Sequence, residues 1–222
     1  MIKHIDTAPV IEAFAKNCEC PVCELYGKTE EGYLESFLGG SVMEPDVRVE
    51  VNRKGFCAKH FLMLYGMGNR LGVALMAHTH LKETIEDIRK PTPKPKRWGR
   101  GAGDLHAPSC ACCDKLNNTM ERYLDTVIYL YETDSSFKSL LKNGKGLCVP
   151  HYRELMSRAV SNGKNAFAED LRGIELANLE KLEKDLEWFT LKFDYRNADK
   201  PWGESRDALI RALAKVSGAK EV

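Results

Sequence analysis

Eight cysteine and histidine residues constrain this chain more than anything else in it. Cys20-Pro21-Val22-Cys23 is followed, after 33 residues, by Cys57-Ala58-Lys59-His60. Cys110-Ala111-Cys112-Cys113 is followed, after 34 residues, by Cys148-Val149-Pro150-His151. The agreement extends beyond the ligand types. Thr29, Glu31, Tyr33 and Leu34 recur ninety positions later as Thr119, Glu121, Tyr123 and Leu124. After a one-residue insertion, Gly55-Phe56 is answered by Gly146-Leu147. The pattern reads as two copies of one unit.

A Cys-x2-Cys pair turns both thiols toward one point. In Cys-x2-His, ligands at i and i+3 share a face of a helix's first turn, where the helix dipole favours thiolate. Glycine just before the second pair permits a tight turn with positive φ. Three cysteines and a histidine form a tetrahedral zinc set. Read in chain order, the first set is Cys20, Cys23, Cys57 and His60, and the second is Cys110, Cys113, Cys148 and His151. Two zinc ions per chain is the expected load, with an iron–sulfur cluster as the chemical alternative. Disulfides would leave both histidines unexplained. Four protein ligands close a site, so a structural role is expected and no catalytic residue is assigned. Cys18 and Cys112 fall outside both sets, as further thiols or as ligand-exchange partners.

The rest of the composition excludes more than it specifies. The chain has 222 residues, 43% hydrophobic and 29% charged, with a net charge of +1. No global field selects nucleic acid or an anionic membrane. No apolar run is long enough to span a bilayer, and the N-terminus has no signal-peptide core. Eight cysteines in a chain this long are too sparse for a disulfide scaffold, so a reducing, cytoplasmic setting is expected.

The periodicity predicts helices almost throughout. Expected segments are 9–17, 21–38 (buried stripe Leu25, Tyr33, Leu34, Phe37), 45–53 and 135–143. The last of these is capped by Asp134 or Ser135 and stopped by Gly144. Two long helices follow the Cys-x2-His pairs, 58–89 and 149–196, the second with a break at Asn162-Gly163. Gly66, Gly68 and Gly72 weaken the first by about 1 kcal/mol each. Leu179, Leu182, Leu186, Phe189 and Phe193 form a 3-4-3-4 seam, to be buried internally or in a homodimer. A final helix, 204–216, is amphipathic through Leu209, Ile210 and Leu213. No strand signal stands out. The expected class is all-α, a helical bundle of two pseudo-repeats, each with a Cys3His knuckle. The expected division is a first metal-binding repeat at 1–90, a Pro/Gly/basic linker at 91–109, a second repeat at 110–198, and a C-terminal helix and tail at 199–222.

Other groups carry weaker signals. His78 and His80 point about 200° apart on one helix and cannot share a metal; His78 extends the Leu71, Leu75 stripe and is expected to be half-buried. His106 lies in the linker. Lys90, Lys94, Lys96, Arg97 and Arg100, with Trp98 among them, resemble a single-strand nucleic-acid grip, but a solvated linker is the simpler reading. Segment 169–187 holds seven acidic and three basic residues, which opposes a nucleic-acid groove there. Tyr33 and Tyr123 are expected to pack near the knuckles. No phosphate loop, serine-nucleophile or zinc-protease motif is present.

Cys-Pro-x-Cys-Glu-Leu at 20–25, Gly-Phe-Cys-x-x-His at 55–60 and Pro201-Trp202-Gly203-Glu204 ahead of an amphipathic helix together resemble an uncharacterised prokaryotic family of unknown function. Some members carry an automatic label of ABC-transporter substrate-binding protein. The resemblance implies the same eight-residue ligand set and no established activity. The transporter label sits poorly with a chain lacking a leader and an α/β pattern. The second knuckle departs from the family look by having Cys112 where Val22 sits in the first.

The expected function is that of an intracellular, zinc-stapled helical binding or scaffold protein, acting on a protein or small-molecule partner. A thiol-based redox or metal sensor is one alternative. A metal-dependent enzyme, using an open site or His78 and His80, is another. Nucleic-acid binding through the basic linker ranks last.

Overall fold

A computed structural model describes residues 4–40, 44–91 and 110–218. Among them are ten α-helices and no strand, so the all-α class holds. The basic linker segment 92–109, with Lys94, Trp98 and His106, lies outside the described residues.

The helices are α1 (His4–Phe14), α2 (Pro21–Leu38), α3 (Pro45–Lys54), α4 (Ala58–Gly66), α5 (Arg70–Arg89), α6 (Ala111–Thr133), α7 (Ser135–Asn143), α8 (Val149–Ser161), α9 (Asn165–Leu191) and α10 (Ala208–Ser217). Short 3-10 turns follow α9 at Tyr195–Asn197 and Gly203–Ser205. Local sequence explains most boundaries. Pro21 and Pro45 occupy first-turn positions, where the missing N–H costs nothing. Asp134 caps α7 by accepting from the backbone N–H groups of Ser136 and Phe137, and Gly144 ends it.

The helix predicted over 58–89 is two helices. The chain turns at Met67–Asn69, and Asn69 then caps α5 by accepting from Gly72 N at 3.0 Å. Its side-chain amide donates to Leu38 O at 2.9 Å. The interval predicted as helix over 149–196 divides at Asn162–Lys164, where the weak point was expected.

Two compact units result, and they do not follow the sequence boundaries. One comprises residues 1–27 and 120–222, the other residues 28–119. Each draws on both halves of the sequence. In the smaller unit, Leu34, Phe37, Val51, Phe56, Leu64, Met76 and Cys112 form a buried cluster. Phe56 packs edge-on against Phe37 and Phe61, with ring centroids 5.0 and 5.4 Å apart. In the larger unit α1 meets α7, and α8, α9 and α10 pack on one another.

Two expected faces differ from those observed. On α10 the buried residues are Ala208, Ala214 and Lys215, while Leu209 and Leu213 are about half exposed. The small residues let α10 approach closely, and the apolar stripe faces outward. On α9, Leu182 is buried and Leu179, Leu186 and Phe189 are partly covered, but Phe193 is 77% exposed. Past Leu191 the helix has ended, and Phe193 leaves the seam. The Pro201-Trp202 tail folds against this end of α9: Trp188 Nε1 donates to Pro201 O at 3.1 Å, and Trp202 packs 5.7 Å from Phe189.

Phe137 is fully buried against Phe14, ring centroids 5.0 Å apart. Phe137→Ala should therefore destabilise the larger unit by about 3–5 kcal/mol, read as a lower denaturant midpoint with unchanged slope. A loss below about 1 kcal/mol would mean the site collapses around the cavity.

Candidate metal centres

The eight predicted residues gather into two groups, but in a crossed pairing. One group is Cys20, Cys23, Cys148 and His151; the other is Cys57, His60, Cys110 and Cys113. In each, four ligand atoms lie within 4.8 Å of one another. The first Cys-x2-Cys meets the second Cys-x2-His and the second Cys-x2-Cys the first Cys-x2-His, so the chain-order sets do not form.

Each Cys-x2-Cys opens a long helix. Cys20 and Cys23 sit at the start of α2, an 18-residue helix that carries the chain about 27 Å along its axis. Cys110 and Cys113 begin α6, of 23 residues, which carries it about 35 Å. Each Cys-x2-His lies beyond such a helix in the chain and meets the Cys-x2-Cys of the other half.

Every group stands at two helix N-termini. The first gathers the starts of α2 and α8, the second those of α4 and α6. Cys57 and Cys148 occupy N-cap positions with extended backbone, and neither side chain makes a capping bond. Their sulfurs turn to the cluster instead. Gly55 and Gly146 precede them with φ of 63° and 77°, the positive values anticipated. At Gly55 a Cβ would collide with the His80 ring, and at Gly146 it would lie 2.6 Å from Glu175 Oε2.

The spacings match one ion. In the first group Cys23 and Cys148 sulfurs are 3.6 Å apart. His151 Nδ1 lies 3.1, 3.3 and 3.6 Å from Cys148, Cys23 and Cys20. In the second group Cys57 and Cys113 are 4.0 Å apart, and His60 Nδ1 lies 3.2, 3.3 and 3.4 Å from Cys110, Cys57 and Cys113. A tetrahedron with metal–sulfur bonds near 2.3 Å and metal–nitrogen bonds near 2.0 Å has edges of about 3.8 Å between sulfurs and about 3.5 Å from sulfur to nitrogen. The donor set and its spacing therefore fit a tetrahedral metal ion.

The crowding also perturbs the protonation of the first group. Hydrogen bonds from Cys148 and Cys23 hold the Cys20 thiol far below its usual range. The same crowding pushes Cys23 far above it. Burial works to lower His151, but hydrogen bonding to Cys148 and Cys20 outweighs it and raises the imidazole to about 10. A metal ion is held by thiolate and neutral imidazole, so its binding here would release protons.

The surroundings of the two groups differ. His60 is 1% exposed, and its Nε2–H donates to Glu30 Oε1 at 3.0 Å. Lys59 Nζ donates to the same oxygen at 2.6 Å. Burial works to raise the Glu30 carboxyl, but the bonds from Lys59 and His60 prevail and hold it below its ordinary value. Such a carboxylate fixes the tautomer and the ring plane of a metal-binding histidine. Among the described residues no carboxylate pairs with His151. Ala111 N donates to Gly55 O at 3.0 Å, tying the two knuckles of this second group together.

The first group is tied by Lys215. Its side chain is 2% exposed, and Nζ donates to the carbonyls of Glu19, Lys145 and Leu147, which flank the two knuckles. Glu175 Oε2 accepts from Leu147 N at 2.8 Å, while its Oε1 is buried with no hydrogen bond. Burial pushes the Glu175 carboxyl above its usual range. Neither Glu30, Lys215 nor Glu175 was singled out from sequence. Met120 stands where the duplicated pattern would repeat Glu30, so the repeat pointed away from it. Lys215 reads as an ordinary basic residue in the last turn of a helix.

Cys112 is fully buried in the core of the smaller unit and belongs to neither group. Cys18 is half-buried and also outside both. His78 is exposed rather than half-buried, because the Leu71 and Leu75 stripe it extends faces outward, 72% and 41% exposed. His80 covers Gly55 and donates from Nδ1 to Asn52 O at 2.7 Å. It braces the turn before Cys57. Tyr33 donates or accepts with Thr119 at 2.7 Å between hydroxyls, and both Tyr33 and Tyr123 are half-buried.

Fold and site thus define an all-helical protein with two Cys3His groups able to hold metal. The chain belongs to a family of unknown function, DUF6062, whose profile matches residues 1–222. It is similar to an uncharacterized 23.9 kDa protein in the xynA 3' region of Caldicellulosiruptor sp. (strain Rt8B.4), 24% identical over 190 residues, covering 85% of this chain and 88% of that protein. No solved structure matches.

Two outcomes test this site. Glu30→Gln should weaken metal retention at the second group by about 10–100-fold in chelator competition and leave the first unchanged; equal loss at both would contradict the assignment. Glu175 is raised above its unfolded value, so its charged form costs stability as pH rises through the folded value. Glu175→Gln should raise the Tm near neutral pH, and the gain should shrink as pH falls through the range where the carboxyl takes up its proton. A Tm difference independent of pH would exclude the carboxylate as its source.

Proposed function

We propose that this chain is an intracellular helical binding or scaffold protein whose two Cys3His groups hold zinc as structural staples. The observation that carries the reading is the closure of each group: three sulfurs and one imidazole nitrogen within 4.8 Å occupy all four corners of a zinc tetrahedron and leave none for water or substrate. Zinc suits the mixed sulfur and nitrogen donors. A cluster of several irons would put the thiolates on different metal atoms, farther apart than ligands sharing one ion.

The support for a structural role is positional. Each group joins segments that are distant in sequence and local helix propensity cannot bring them together. Zinc sites of this kind supply about 10 kcal/mol or more of folding free energy. The readings as enzyme or redox sensor find less support. His80 is committed to the Gly55 turn, and Cys112 has no solvent exposure through which to meet an oxidant. Among the described residues no helix is long and apolar enough to cross a membrane.

Protein purified anaerobically should contain two zinc ions per chain, show no visible absorption, and lose its cooperative thermal transition when a strong chelator removes the metal. Iron with a visible chromophore would replace zinc in this reading. Loss of both ions with the transition intact would end the structural role.

A further inference from the structure

The helix α5 is apolar on two opposite sides. Gly72 and Met76 are buried, with Val73, Thr79, His80 and Thr84 half-covered, and this side packs against α3 and α4. The opposite side carries Leu71, Ala74, His78, Leu81, Ile85 and Ile88, spaced 3, 4, 3, 4, 3. Leu71, Leu81, Ile85 and Ile88 are 72, 57, 40 and 74% exposed. A single row of apolar residues would satisfy the unit's own core. A second row on heptad spacing has no intramolecular use among the described contacts.

We infer that this outer stripe of α5 is a homodimer interface, packed side by side against the same stripe of a second copy. The inference gives the binding-protein reading above its first partner and rests on that reading. Three observations choose a second copy over other occupants. The 3-4 spacing is the seam of paired helices, and one stripe complements itself through a two-fold axis. The area is of the right size. A standard interface buries about 800 Å² per partner, somewhat over half of it apolar, and these side chains with Leu75 expose apolar surface on the order of 500 Å². The charges are balanced. From Arg70 to Lys90 there are four basic and three acidic residues, and Glu86–Arg89 and Asp87–Lys90 are already paired at 2.6 and 2.5 Å. Two such helices do not repel, while nucleic acid and anionic lipid find no basic face. His78, mid-stripe, is the single polar residue in the seam, the kind of position that sets register in paired helices.

The test is sedimentation of the full-length, metal-loaded protein over a concentration series. Wild type should be a dimer. Leu81→Glu combined with Ile85→Glu should raise the dimer dissociation constant on the order of 100-fold or more, with metal content and helical circular dichroism unchanged because both positions are exposed. Ile88→Lys, farther along the stripe, should weaken the dimer in the same direction. A wild type that stays monomeric at every concentration, or a dimer indifferent to these changes, would overturn the inference. A monomer retaining two metals would do so while leaving the proposed function standing.

Discussion

Four helix N-termini, aimed in pairs at two clusters of thiolate and imidazole, are the constraint on which the rest of the arrangement depends. A thiolate is costly to bury alone. Beside three similar groups a bound cation would offset that cost, and the partial positive charge of each helix start favours thiolate as well. Each cluster thus requires two particular helices to begin at one place. Once α2 and α8 share one point, and α4 and α6 another, the positions of the turns at Gly55 and Gly146 follow, and with them the cover that His80 and Glu175 lay over those turns.

The same demand is met in two physically different ways. Around His60, a carboxylate and a lysine form a short polar chain, Lys59 to Glu30 to His60, that orients the imidazole from behind. Around the first group the ties run through the backbone of the knuckles instead. Lys215 gathers three carbonyls from the two knuckles, and Cys23 Sγ lies 3.5 Å from Gly218 O at the end of the same helix. Lys215 is an expensive residue to bury, and its three carbonyl partners and the Glu19 carboxylate 3.7 Å away are what make that burial tolerable. The C-terminal helix is therefore part of the first centre, although its sequence shows no metal-binding motif.

Much of the structure was legible one segment at a time. The limits of α2 and α7 and the break near Gly163 come from local chemistry: proline in a first turn, aspartate at a cap, glycine at a stop. Which face of a helix is buried was less legible. On α10 and on α5 the more apolar face is the exposed one, because small residues or a bracing histidine allow closer approach on the other side. Hydrophobic periodicity shows that a stripe exists, and it is silent on which neighbour the stripe meets.

The sequence by itself determined the donor set and its geometry class. Three cysteines and one histidine at these spacings are short-range facts, since i and i+3 on a helical turn are neighbours in any fold. Only the tertiary structure decided the pairing. Cys23 could be completed by Cys57 or by Cys148 with equal chemical satisfaction, and spacing does not distinguish them. The choice is held by contacts between segments far apart in sequence: Ala111 N to Gly55 O joins the knuckles of one group, and Lys215 gathers carbonyls beside both knuckles of the other.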